Sequence, residues 1–515
     1  MLPPMHRACQ TVIVGWLLLV SVAYAERINH EGRILGPLPT VTGPILFNTP
    51  EADAVVSAMQ IFPVTSPWNE DITHRPVLGN SDAMIAQIMA DLRSDRRTLI
   101  AFQEMNYVLV PDNQPRQDIE FFNYSDQSDL DGGTDPKGKY PIPANMPIET
   151  WPSQTGAQTL TQWQMNDDGS DRHAIMVAPG SGFIWETWLT LLSGTGWQAS
   201  NGAKFDLNSN AQRPAGWTSG DAAGLPMFPA LPRFDECERG MVEHACRIVV
   251  KRSRYRNQIY PATHYAAPSS NTDTNLPAMG QRVRLKAGFS IPANWSKQEK
   301  AILLGLKKYG AMVADNGNFF SISVTPDNRW PAGCFSHFTS ISITNFEVIQ
   351  TTGPTEGPRS PGAPKANAGP DQAAALGQPI PLAGFVSFTG ATPQFHWKQY
   401  AGPGTATFGD AAKTNTTVTF SQSGTYTLML SAEDGVHAVA YDAVVFTVSP
   451  AKIDVTAIRA GPDLSLSWTG GSPPYAVQQS STLLPASWQA VTTTSASNVT
   501  VPATGLSAYF RVTGQ

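Results

Sequence analysis

Between Thr351 and Pro364 the chain reads Thr-Thr-Gly-Pro-Thr-Glu-Gly-Pro-Arg-Ser-Pro-Gly-Ala-Pro. Such a stretch can hold neither a helix nor a central strand, because proline fixes φ, lacks an N–H and restricts the residue before it. It reads as a semi-rigid linker. It divides the 515 residues into a long block over about 45–350 and two short segments over about 365–450 and 454–515, in keeping with a length prior of roughly three domains.

The long block is built from short β-type runs. Thr98-Leu-Ile-Ala-Phe102, His173-Ala-Ile-Met-Val177, Phe183-Ile-Trp-Glu-Thr-Trp-Leu189 and Ala245-Cys-Arg-Ile-Val-Val250 are separated by Gly, Asn and Pro turns. Two helices interrupt them. Ile85, Ile88 and Leu92 share a face after Ser81, a candidate N-cap, and Ser296-Lys-Gln-Glu299 forms a capping box before the stripe Ile302, Leu303, Leu306 and Tyr309. The expected fold class is therefore mainly β: a large β-rich N-terminal domain with a few helices, then two small immunoglobulin-like β-sandwich modules. With 41% hydrophobic and 15% charged residues the chain can form real cores, and a net charge of −6 argues against nucleic acid and anionic membranes as partners.

The N-terminus reads as an export signal over 1–25. His6 and Arg7 precede the apolar run Thr11–Val20, and Ala23-Tyr-Ala25 supplies a cleavage pattern before Glu26. No later run approaches the ~20 apolar residues of a membrane span, so a secreted, extracellular or periplasmic protein is expected. The mature chain keeps Cys237, Cys246 and Cys334. A turn at Gly240 would allow a local Cys237–Cys246 bridge, although sequence leaves it open.

Segment 365–450 carries Asn367-Ala-Gly-Pro-Asp371, Trp397-Lys-Gln-Tyr-Ala-Gly-Pro-Gly-Thr405, Thr416-Thr-Val-Thr-Phe420, Gly424-Thr-Tyr-Thr-Leu428 and Ala432-Glu-Asp-Gly435. In this order the motifs resemble a PKD-type immunoglobulin-like module. The resemblance implies a spacer or weak binding unit with Trp397 in its core and Tyr426 at a corner, and it implies no catalysis. The last segment, with Leu464-Ser-Leu-Ser-Trp468 and Tyr509-Phe-Arg-Val512, resembles small terminal β modules of secreted bacterial proteins. Ser170-Asp-Arg-His173, Phe205-Asp-Leu-Asn-Ser-Asn210, the run Arg213–Pro226 and Ala314-Asp-Asn-Gly317 together make the long block resemble a family of secreted bacterial proteins. That resemblance carries a grouping and no mechanism.

Candidate chemistry must come from the residues themselves. On a strand, Ile184, Glu186 and Trp188 share one face and Phe183, Trp185 and Leu189 the other. A carboxylate beside an aromatic ring suits a sugar, whose C–H face stacks on the ring while its hydroxyls meet the acid. Glycoside hydrolysis needs two carboxyl groups, about 5 Å or about 6.5–9.5 Å apart, and Glu186 with Asp221 or Asp235 is the expected pair. His173 and His244, each heading an apolar strand near an acid, are candidate acid/base residues. Trp188, Trp217, His264 and Tyr265 are candidate substrate contacts. No cofactor is required. The acid-rich loop Asp126–Asp135 could hold structural calcium although its spacing departs from the EF-hand pattern, whereas Asn316-Gly317 suggests a tight turn with positive φ. There is no Gly-x-Ser-x-Gly, His-Glu-x-x-His, Walker or dinucleotide motif.

The leading expectation is a secreted carbohydrate-active protein that cleaves polysaccharide glycosidic bonds with paired carboxylates, a glycoside hydrolase. The first alternative is a non-catalytic extracellular glycan-binding or surface-structural protein. The second is a metal-dependent enzyme, which would need His173, His244 and His264 to converge.

Overall fold

The computed structural model describes residues 27–194, 196–471, 473–482, 484, 487–502 and 508–514. The export signal expected over 1–25 lies outside the described residues. Among the described residues no helix is long and apolar enough to cross a membrane.

The chain is mainly β, with few helices. In the long block a five-stranded sheet has the order Asn201–Asp206, Phe183–Trp188, Ala174–Ala178, Val108–Leu109, Ile45–Leu46. Both faces are covered. Leu109, Ile175, Val177, Ile184 and Phe205 enter the main core, while Val108, Ala174, Met176 and Trp185 enter a second core with Ile119, Phe121, Tyr140 and Trp163. Two-sided burial explains why these strands read as nearly unbroken apolar runs.

A mixed six-stranded sheet packs on the main core. Its order is Phe346–Val348, Arg282–Leu285, Ala311–Asn316, Cys246–Val250, Phe320–Val324, Leu99–Gln103. The helix Lys297–Lys308 packs on this sheet and starts with the expected capping box, Glu299 N–H donating to Ser296 Oγ at 2.9 Å and Ser296 N–H to Glu299 Oε2 at 3.0 Å. The helix Ser81–Asp91 departs from expectation at its start: Asn80 is the N-cap residue, and Ser81 Oγ instead accepts from Val348 N–H at 2.8 Å, tying the helix to the sheet edge. Three further helices, Pro50–Ser57, Leu160–Met165 and Phe234–Arg239, are too short to show a clear stripe.

Other expectations are corrected. Cys237 and Cys246 are not bridged. The chain does turn at Gly240, but Cys237, Cys246 and Cys334 are all free and buried, and burial raises each thiol, that of Cys334 to about 11, which leaves little thiolate. Asn316 ends a strand, and neither it nor Gly317 has positive φ. In the acid-rich loop, Asp129 accepts from Arg213 and from Lys204 N–H, and Asp131 from Arg116, Lys204 and the Trp185 indole, so cations and N–H groups occupy the oxygens calcium would need.

Beyond the linker, residues 365–450 and 454–514 each have their own apolar core. Trp397 is buried, and Tyr426 Oη donates to the Gln422 carbonyl at 3.0 Å, the corner contact expected of such a sandwich. The linker itself folds back: Arg359 reaches Glu70 of the long block, and Ser360 Oγ lies 3.0 Å from His437 of the following module.

Candidate active site

The two sheets meet through one buried ionic network. Immediately before the Ala174–Ala178 strand, Arg172 has a φ of 48°, and this turn leaves Asp171 exposed while Arg172 and His173 are buried. His173 Nδ1 lies 2.8 Å from Glu149 Oε2, and Nε2 lies 3.0 Å from the Gly220 carbonyl. A carbonyl only accepts, and so does an ionised carboxylate, so both ring nitrogens donate and the ring is an imidazolium. Burial alone would discharge it, but the Glu149 charge and hydrogen bond prevail and hold the ring up to about 10.

This has a measurable consequence. Nitrogen-15 NMR of the ring is expected to show both nitrogens protonated at ~pH 8, well above the usual range near 6.5. The folded-state value is raised, so the linked stability is fully present below pH ~6.5 and is lost as pH rises through about 10. Its size is of the order of a few kcal/mol. In Glu149→Gln the ring should titrate far lower. A wild-type ring that deprotonates below pH ~7 would contradict the assignment.

Arg247 forms the second half of the network. It stands inside an apolar strand, 2% exposed, and grips Asp221 with two donors, Nε to Oδ2 at 2.9 Å and Nη2 to Oδ1. Nη1 donates to Ser323 Oγ, which donates onward to Glu104 Oε1 at 2.6 Å. On the other side Asp315 Oδ2 lies 4.0 Å from Nη2. A register slip brings Asp315 there. Arg247 pairs with Met312 and Ile248 with Val313, but Val249 pairs with Asp315, leaving Ala314 as an extra residue. Without that bulge Asp315 would point to the face opposite Arg247.

Three carboxyls here are held well above their ordinary range. Burial, then the Glu149 charge, lifts Glu104 to about 7 against Ser323 and Arg247. Burial, then the Asp221 charge, lifts Asp315 to about 7 against Arg247. Burial also lifts Glu186 to about 7, although the N–H groups of Phe228 and Met227 oppose it. Of the three, only Glu104 and Asp315 keep exposure, Asp315 with 27% of its side chain open.

Glu186 is sealed. Its oxygens accept from Met227 N–H at 2.9 Å and Phe228 N–H at 2.8 Å, so the carboxyl anchors a loop and cannot touch a sugar. Asp221 lies near it and adds repulsion, but is itself fully buried in the Arg247 grip. Asp235 is not brought to this network: it lies on the Phe234–Arg239 helix, 2.6 Å from Arg239 Nη1. His244 belongs with Glu236, at 3.2 Å, and with the Ala245 carbonyl. His264 Nδ1 meets the Ala222 carbonyl at 2.7 Å. The three histidines therefore face different partners, and among the described residues no group of three or more His, Cys, Asp or Glu could hold a metal.

The expected substrate contacts divide similarly. Trp188 is half-buried, its Nε1 3.3 Å from Asp171 Oδ1 and its ring 6.4 Å from the exposed Tyr124 ring at 31°. Asp171 also adds charge to Asp315, so this aromatic shelf borders the carboxyl pair. His264 and Tyr265 stack at 5.7 Å and 14°, beside the chain that leads to Asp315: Asn316 donates to the Ala266 carbonyl and Ala223 N–H to the Ala314 carbonyl. Trp217 is half-buried under the Arg213 guanidinium, 5.4 Å from its ring. Sequence reasoning missed Glu104, Glu149, Arg247, Ser323 and Tyr124. Arg247 alone left a signal, a cation inside an apolar run, which demands a buried partner.

Comparison with known proteins identifies the C-terminal half in part. Residues 368–448 match a family model of the PKD domain, so this segment is a PKD-type module. Among solved structures, the PKD domain from KIAA 1837 protein is 26% identical, covering 16% of this chain and 87% of that one, with a TM-score of 0.15. A nucleoside hydrolase-related hypothetical protein from Saccharophagus degradans is 15% identical over 25% of this chain and 35% of that one, with a TM-score of 0.16. The D00-D0 domain of Intimin is 14% identical over 29% and 98%, with a TM-score of 0.17. No curated protein matches the chain.

Proposed function

We propose that the long block is a carboxyl-based catalyst that cleaves polysaccharide glycosidic bonds outside the cytoplasm, with Glu104 and Asp315 as its acid/base pair. The observation that supports this reading is the pair itself: two partly open carboxyls, each held to about 7, on either side of Arg247. A carboxyl that titrates near the working pH can give a proton to a leaving oxygen and take one from water. The Trp188–Tyr124 shelf offers the apolar ring surface a sugar stacks on, with Asp171 at its edge for hydroxyls. The PKD-type module and the export signal suit a secreted protein that works on an extended substrate. Glu186, Asp221 and His173 support the pair from behind.

The test is reducing-end release from a polysaccharide panel by the full chain, beside Glu104→Gln and Asp315→Asn. Trp188→Ala is expected to weaken substrate binding by about tenfold, on the scale of roughly 1–2 kcal/mol for losing one stacked ring, while leaving bond cleavage at saturation largely intact. The non-catalytic glycan-binding reading rests on the same shelf. Retention on an insoluble glycan that Trp188→Ala abolishes, with no release by any form, would favour it.

A further inference from the structure

Away from this network, Glu70 draws three guanidinium groups. Arg75 Nε lies 2.8 Å from Oε1, Arg359 Nη1 3.1 Å from Oε2, and Arg282 Nη1 4.0 Å from Oε2. The Arg282 and Arg359 side chains are 4% and 3% exposed, so these charges are held away from water. The Glu70 charge favours the Arg282 cation. Burial first, then Arg359 and Arg75, oppose it and lower it to about 10. One negative charge thus faces three positive ones.

The imbalance opens onto a cleft. Among the described residues Arg282 makes one side-chain hydrogen bond, from Nη2 to the Pro67 carbonyl, and its Nη1 stands beyond bonding distance of Glu70. The cleft, of about 270 Å³, is lined by Glu70, Arg75, Arg282, Tyr260 and Thr352. It shares Pro67, Tyr260 and Pro261 with a neighbouring hollow of about 380 Å³ walled by Phe62, Phe205 and Pro226. Buried cations in excess are costly unless an anion joins them, and guanidinium forks match planar or tetrahedral oxyanions.

We propose that this cleft binds an oxyanion (a carboxylate, sulfate or phosphate group) between Arg75, Arg282 and the Tyr260 hydroxyl. The adjoining apolar hollow takes the ring that carries it, which makes an acidic sugar the expected source. The assignment does not depend on whether Glu104 and Asp315 cleave anything.

The experiment is calorimetric titration of the full chain with sodium sulfate, glucuronate and glucose at matched ionic strength, repeated with Arg75→Gln and Tyr260→Phe. Both variants should fold, since Glu70 keeps Arg359 and Arg282. Wild type is expected to bind glucuronate more tightly than sulfate and not to bind glucose, and Arg75→Gln to weaken binding about tenfold or more. Sulfate binding as tight as glucuronate would keep the site but assign it to a free inorganic anion. No heat with either anion, or equal binding by wild type and Arg75→Gln, would overturn it.

Discussion

Glu104→Gln and Asp315→Asn should each lower turnover on a polysaccharide cleaved by wild type by about 10²–10⁴-fold, the usual span for loss of a general acid or base, while leaving the protein folded. Both changes preserve shape. In Glu104→Gln the side-chain carbonyl oxygen would still accept from the Ser323 hydroxyl that now meets the carboxylate. The loss should therefore appear in turnover more than in apparent affinity. The pair would titrate together, giving a bell-shaped rate profile centred near neutrality whose two limbs belong to the pair and not to either residue.

Stability should move the opposite way. Both carboxyls have folded-state values raised to about 7 from 4.5 and 3.8. Their contribution is thus fully present below those unfolded values and is lost as pH rises through about 7, where the native state must give up a proton it holds more tightly. An amide never ionises, so each variant should match wild type in mild acid and exceed it above pH ~7. A thermal scan at ~pH 5 and ~pH 8 reads the difference. Full activity in either variant would remove that carboxyl from the reaction and leave the network as a structural ionic core.

The architecture was largely legible in sequence, and the reason is periodicity. The strand alternation that put Ile184 and Glu186 on one face and Phe183 and Trp185 on the other is the arrangement that divides the two cores, and the capping box at Ser296 marked its helix start. The motifs of the PKD-type module sit where a sandwich needs them. The candidate site was less legible because it is assembled by tertiary pairing. Glu186 looked like a surface acid beside aromatics, but nothing in its neighbourhood could announce that Met227 and Phe228, more than forty residues away, cap its oxygens. Asp315 looked like a turn residue because Asn-Gly follows it. Its direction depends on a bulge against a strand more than sixty residues earlier in the chain. Glu104 and Glu149 carry no local pattern at all.

Arg247→Met should be the most damaging single change to stability in the long block. Asp221 has no exposure, and Arg247 supplies the cation on its two oxygens. Removing one partner of such a buried pair costs about 3–5 kcal/mol, because the remaining charge stays desolvated and unpaired. Ser323 loses its donor as well, and Asp315 loses the cation that opposes its rise, so it should bind its proton more tightly still. Adding Asp221→Asn to Arg247→Met removes the stranded charge and should recover a large part of the loss, a coupling that a double-mutant cycle isolates. Arg247→Lys should not substitute, since an ammonium cannot span both Asp221 oxygens while reaching Ser323. The residue 365–450 module provides an internal control: it has a separate core, so its unfolding transition should stay in place while that of the long block shifts down. If both transitions stay where they are in wild type, Asp221 must be neutral or solvated, and the ionic network cannot be what joins the two sheets.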